Sequence, residues 1–395
     1  TTTGAPAARS LWRPADFLPQ GHGPSFDEAR EALRETARLV VSAWAGRSRR
    51  VAVAASGGAD SSLICGALSS GGHGFDCVTL ATSDPSGDER AYVRQLAGHL
   101  GAGIVECIYA PERIDLTRST SDSLPRPTRK AFMQETDRAF AQACSQLGAD
   151  LILDGNGGDN LFCFLHSSAP VVDRLRNEGL GHGVLATFLD MCRLTGCDVA
   201  TMARAAARRL LRRSRSDLWP PDNRLLGAVA IEDRNLDPLT PWGDVATGRH
   251  PGKRDHLALL MRTQNHVHGV TASLQFSPLM SQPLVELCLA IPTWQWCQGG
   301  INRALARAAF APELPAEIVA RTAKSGPDSL MRRLFEMNCG LIGELLLDGL
   351  LAKHGLIDRA AVEAMLGVDA QKGDATVYRL LDLTEAEVWA RSWQD

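Results

Sequence analysis

Residues 56–62, Ser56-Gly57-Gly58-Ala59-Asp60-Ser61-Ser62, bring glycines, hydroxyls and one carboxylate into a single short stretch. Glycine has no Cβ to hold an anion away from the backbone. The hydroxyls of Ser56, Ser61 and Ser62 can donate to phosphate oxygens. Asp60 is the unexpected member, because a carboxylate beside a polyphosphate repels it unless a divalent cation lies between them. The chemistry implied is the binding of a metal-bound nucleotide. A second glycine-rich stretch, Asp154-Gly155-Asn156-Gly157-Gly158-Asp159-Asn160-Leu161-Phe162, carries another carboxylate, so that Asp60 and Asp159 can hold magnesium between them.

Both stretches need strands to bring them to one edge. The apolar run Val51 to Ala55 reads as a buried strand leading into the first loop, and Leu63 to Leu68 can begin a helix behind it. A small-residue turn between strand and helix points N–H groups at a phosphate, and the helix N-terminus adds about half a positive charge. Strands are expected at 75–81, 104–108 and 151–153, the last running into the second loop. Helices are expected at 88–100, with Tyr92, Leu96 and Leu100 four apart, and at 128–147, with Phe132, Ala139, Phe140, Ala143 and Leu147 inward. Gly101 and Gly148 stop them. This alternation predicts an α/β fold, a doubly wound parallel sheet whose ligands bind beyond the carboxyl ends of the strands. The first strand then lies centrally, with its loop at the switch point.

Around this core (residues 25–170), residues 1–24 read as an extended arm rich in Pro and Gly. Ser25 and Glu28 form a capping box for a helix whose buried face carries Ala29, Leu33, Ala37, Val40 and Trp44. Residues 171–254 read as a helical insertion, basic between Arg204 and Arg215, where a solvated face and a docking surface for an acidic partner are both open readings. Residues 255–395 are a large helical C-terminal half completing the site, with apolar packing around Leu345, Leu346, Leu350, Leu380 and Trp389. His266 and His268 lack a third ligand at a recognisable spacing and read as structural.

The chain has 395 residues, 45% of them hydrophobic, and a net charge of -3, so bulk charge points to neither nucleic acid nor membrane as the main partner. Its ten cysteines form no C-x-x-C pair and several fall in apolar runs, which favours buried reduced thiols and a cytoplasmic setting. No apolar run approaches the roughly 18 residues needed to span a bilayer. Residues 1–13 lack the apolar core of a signal peptide.

No Gly-Lys-Ser/Thr follows the first glycines, so this is not a Walker loop. It resembles the S-G-G-x-D-S-S pyrophosphate loop of the ATP pyrophosphatases, which cleave ATP between the α and β phosphates. The two loops together resemble the synthetase domain of the asparagine synthetase superfamily, with its adenine nucleotide α-hydrolase type of sheet. The likeness runs over roughly residues 25–335 and diverges between about 171 and 250. Where asparagine synthetases carry E-x-R-x-P-F-L-D, Leu274, Phe276 and Ser281 stand in place of the glutamate, arginine and aspartate. The wording from Pro278 to Pro292 is instead similar to the cyclases that close the macrolactam of lasso peptides.

The resemblance implies ATP and Mg2+ as cofactors. It assigns Ser56, Gly57, Gly58, Asp60, Ser61, Ser62, Ala81, Gly155 and Gly157 to ATP and pyrophosphate, and Asp60 and Asp159 to the metal. Lys324, in Arg321-Thr322-Ala323-Lys324-Ser325-Gly326-Pro327, matches the catalytic lysine that reaches the α phosphate and the departing pyrophosphate. Asn156 is assigned a catalytic place where related β-lactam synthetases carry a tyrosine and asparagine synthetases a glutamate. An amide is no base: either Asn156 orients the acyl group, or the amine arrives neutral, which an α-amino pKa of about 7.7–8.0 allows. The implied function is ATP-dependent closure of a lasso peptide ring, in which an Asp or Glu side chain is adenylated and the peptide's N-terminal amine attacks it. The implied partners are the precursor core peptide, a leader peptidase and a leader-binding protein. The alternatives are a β-lactam-type or stand-alone asparagine synthetase, and a catalytically silent scaffold that binds precursor.

Overall fold

Five strands, β1 (Val51–Ala54), β2 (Phe75–Ala81), β3 (Gly103–Ile108), β4 (Leu151–Asp154) and β5 (Leu274–Phe276), pair in the order β3-β2-β1-β4-β5. Every pairing is parallel, and Ala54 is in register with both Val78 and Asp154. The computed structural model describes residues 11–18, 23–81, 88–211, 222–232, 250–263, 274–321, 328–367 and 374–394.

The period of two along each strand divides the core between the faces of the sheet. Val51, Val53, Leu151 and Leu153 pack on one side with α1 (Phe26–Ala45), α2 (Ala59–Ser70) and α3 (Arg90–Leu100). Ala52, Val78 and Ile152 face the other side, against Phe140, Ala143 and Cys144 of α4 (Met133–Leu147). The sheet is therefore doubly wound with β1 at its centre, and the chain reverses direction between β1 and β4, where the two loops emerge. The Ser25 and Glu28 capping box forms at the start of α1. Gly101 and Gly148 end α3 and α4 in the left-handed conformation.

Several expected boundaries move. Helix α2 begins at Ala59, inside the first loop, so Asp60, Ser61 and Ser62 lie in its first turn. Helix α4 begins at Met133, because residues 128–132 are held as an irregular segment: the Arg129 N–H donates to Ser121 Oγ and the Tyr109 hydroxyl donates to the Phe132 carbonyl. Within α3, Val93, Leu96 and Ala97 are buried, whereas Tyr92 stays 38% exposed. Tyr92 is spent on Arg321, whose guanidinium lies 4.0 Å from its ring centre. Strand β5 has three residues, too few to show alternation.

Helices α5 (Gly158–Leu161), α6 (Ala169–Glu178), α7 (His182–Thr195), α8 (Val199–Leu211), α9 (Pro251–Thr263), α10 (Gln282–Ala290) and α11 (Ala304–Phe310) follow β4 in the chain. Helix α9 starts at Pro251 rather than Asp255. Of the basic stretch, Arg209 is paired with Asp255 at 2.8 Å and Arg204 donates to its own helix at Ala200. Arg212, Arg213, Arg215, His266, His268 and Lys324 lie outside the described residues. From the N-terminal arm, the Trp12 indole donates to Glu286 on α10.

A second core gathers α12 (Asp328–Leu347), α13 (Arg359–Gly367) and α14 (Asp374–Ser392) around Leu334, Ile342, Val362 and Leu380. Tyr109, Ile114, Leu116 and Ala131, from the segment after β3, complete it. All ten cysteines are free thiols, and six of them are buried. Among the described residues no helix is long and apolar enough to cross a membrane.

Candidate active site

At the carboxyl end of β1 the chain turns through Gly57, whose φ of +63° favours glycine. A Cβ there would also lie 2.4 Å from Cβ of Tyr92. Helix α2 then starts with its first-turn N–H groups facing the loop, the arrangement that attracts anions. Ser61 Oγ accepts from the Ser56 N–H at 3.2 Å and lies 3.4 Å from Ser56 Oγ, so the loop is tied to its own helix. Ser62 is fully buried and its hydroxyl meets no hydrogen-bond partner among the described residues.

The second loop lies directly against the first. A Cβ on Gly155 would sit 2.7 Å from the Ser61 nitrogen, and one on Gly158 would sit 2.3 Å from Cγ of Asp60. Glycine is required at both positions by this approach. Gly157 has φ +81° and packs under Met280, which closes the turn from behind.

Between the loops is a cavity of about 430 Å³, within the usual range for small-molecule sites. Ser56, Gly58, Asp60, Ser61, Gly155 and Asn156 line it, so half of the residues expected from the sequence converge there. Gly57, Ser62 and Gly157 shape the loops from behind. Ala81 ends β2, buried, with its carbonyl accepting from the Tyr109 N–H at 2.8 Å. The opposite wall is the segment Thr128 to Met133, which the sequence placed inside a helix.

Arg303, which sequence reasoning passed over, stands between the two carboxylates. Its guanidinium lies 3.3 Å from Asp60 Oδ2 and also contacts Asp159. It is 6% exposed, has φ +55° and stacks over Phe164 at 5.2 Å. Burial pushes its pKa down and the Asp60 charge pushes it back up, yet an arginine in a protein keeps its proton. The signal was faint: an arginine at the mouth of α11, after Gly299 and Gly300, both of positive φ.

The place between the two carboxylates is held by one cation, Arg303, and is one that favours positive charge. Two carboxylates suit magnesium, which takes one or two carboxylates plus phosphate oxygens and keeps several waters. Asp60 and Asp159 fit that role, and the hydroxyls of Ser56 and Ser61 and the glycine approaches fit a polyphosphate. Arg321 ties the last motif to the same place. Its Nη1 donates to the Ser56 carbonyl at 3.0 Å and its Nη2 pairs with Glu89 at 2.5 Å.

Residues 30–391 match the family model for asparagine synthase, nearly the whole chain and further into the C-terminal helices than the motifs alone reach. No curated protein matches. Loops, acidic pair, anchoring arginine and family match agree: the chain belongs to the asparagine synthase family, whose members form amide bonds at the expense of ATP.

Proposed function

We propose that this protein closes the macrolactam ring of a lasso peptide, joining an Asp or Glu side chain of a core peptide to that peptide's N-terminal amine. The observation that supports a peptide over free aspartate is the edge strand β5. Phe276 is stacked on Trp44 at 4.0 Å, Leu274 is 67% exposed, and Ser281 accepts from the Trp44 indole, so these positions offer no charged pair to clasp an amino acid.

In this reading the carboxylate attacks the α phosphate of ATP, pyrophosphate leaves, and the amine then expels AMP from the acyl adenylate. The first-turn N–H groups of α2 and the hydroxyls of Ser56 and Ser61 hold the phosphates. Asp60 and Asp159 hold magnesium, which supplies neutralising charge to the phosphate oxygens. Lys324 contributes positive charge at the α phosphate. Arg303 moves off the acidic pair as the metal-bound nucleotide enters. A leader peptidase, with a leader-binding protein, frees the amine beforehand.

The experiment is to combine purified protein, leaderless core peptide, ATP and magnesium. AMP and pyrophosphate should appear in step with a peptide lighter by one water, read by mass spectrometry. ADP and phosphate as products would refute the adenylation reading.

A further inference from the structure

Amide formation from an amine releases a proton, and the Asn156 side chain cannot take it. Two residues earlier, at the end of β4, Asp154 lines the cavity and is only 4% exposed. Its Oδ1 accepts from the Asn156 N–H at 3.0 Å and from Ser277 Oγ at 2.6 Å, and its Oδ2 accepts from Gln275 Nε2 at 2.9 Å. Three donors, one from the loop after β4 and two from β5 and its flank, therefore fix the plane of this carboxylate at the cavity wall.

Gln275 lines the same cavity and is 7% exposed. A carboxylate only accepts, so the amide group facing Asp154 is the NH2, and the orientation of the other end follows. That other end, Oε1, is buried and accepts no hydrogen bond among the described residues. An unsatisfied buried acceptor costs about 1–3 kcal/mol, which a bound donor removes. A carboxylate and an unfilled carbonyl oxygen at adjoining strand ends ask for a ligand rich in N–H.

We propose that Asp154 and Gln275 form the amine subsite, and that Asp154 is the proton acceptor of the amide-forming step. Gln275 Oε1 receives one N–H of a primary amine. The nitrogen lone pair forms the C–N bond to the acyl carbon, the C–O bond to AMP breaks, and AMP leaves with that electron pair. The proton, made acidic as nitrogen bonds to carbon, passes to the Asp154 carboxylate. This inference rests on the adenylation reading above.

The test supplies core peptide and ATP with or without hydroxylamine, a small nucleophile that is already neutral near neutral pH, needs no amine subsite to hold it and gives up its proton to water. In Asp154→Asn, the ratio of ring amide to hydroxamate should fall about 100-fold, the lower end of general-base effects. Amide formation should recover as pH rises past about 8, where the amine deprotonates in solution. In Gln275→Met the ratio should fall about tenfold, the worth of one hydrogen bond. Should Asp154→Asn fail to fold, Gln275→Met decides. A folded variant with the parent's ratio and pH profile overturns the proposal. A parent protein that makes neither AMP nor hydroxamate overturns the adenylation reading, and the amine subsite with it.

Discussion

Arg303 concentrates the electrostatics of the site in one side chain. It neutralises a buried Asp60 and reaches Asp159, so its removal takes away the cation that touches both carboxylates. Breaking such a pair costs roughly 3 kcal/mol. Arg303→Met should therefore lower the unfolding midpoint of the nucleotide-free protein, and magnesium with ATP should restore much of the loss, as read by thermal denaturation. The same stabilisation of wild type and variant by magnesium-ATP would show that guanidinium and metal do not share a place. Removing Asp60 or Asp159 as alanine should abolish AMP release. Lys324→Ala should slow it at least about 100-fold, or roughly 2.7 kcal/mol of transition-state stabilisation. Near wild-type turnover in Lys324→Ala would remove that residue from the mechanism.

At the scale of elements, short local devices hold the helices that carry the site. The Ser25 hydroxyl accepts from the Glu28 N–H while Glu28 accepts from Ser25, and Ser25→Ala should cost about 1 kcal/mol in a urea melt. Helix α9 is fixed to the second loop by His256, whose Nε2 meets the Leu161 carbonyl at 2.8 Å in full burial. Burial, with the Lys253 charge beside it, pushes the His256 pKa down from 6.5 to about 3. Above pH 6.5 neither folded nor unfolded chain holds the proton, so His256 adds no slope there. Below it the unfolded chain takes up a proton that the folded one refuses, and stability falls as pH drops from 6.5 towards 3. Unfolding midpoints measured down this range should fall less steeply in His256→Gln than in wild type.

Across the whole molecule, the C-terminal helices brace one wall of the cavity from outside, without lining it. Glu385 on α14 is buried, its pKa raised by that burial against the hydrogen bonds that stabilise its charge. It accepts from Ser119 Oγ at 2.6 Å, from the Thr120 N–H at 3.0 Å and from Thr120 Oγ1 at 3.2 Å. Asp382 pairs with Lys130, and the Trp389 indole donates to the Leu124 carbonyl at 2.9 Å. Together these clamp the segment that ends in Arg129 and Lys130 at the cavity. Glu385→Ala should therefore raise KM for ATP about tenfold, with a smaller change in kcat, because it frees donors that fix the wall rather than groups that touch the phosphates. An unchanged KM in a folded variant would show that the wall keeps its shape without this clamp.

What the sequence alone determined about this protein is what neighbouring residues can express: the two glycine loops, the capping box, and the alternation of buried strands with amphipathic helices that implies a doubly wound sheet. Each depends on contacts within a few residues, so the pattern survives in one dimension. Tertiary structure decided the rest. It set Arg303 between two carboxylates from separate loops, Arg321 on the Ser56 carbonyl, Gln275 beside Asp154, and Glu385 under the segment after β3. These partners lie more than a hundred positions apart in the chain. Hydrogen bonds and ion pairs act over a few ångströms of space, whatever the separation along the chain, so only the packing of β1, β4 and β5 into one sheet edge could reveal them.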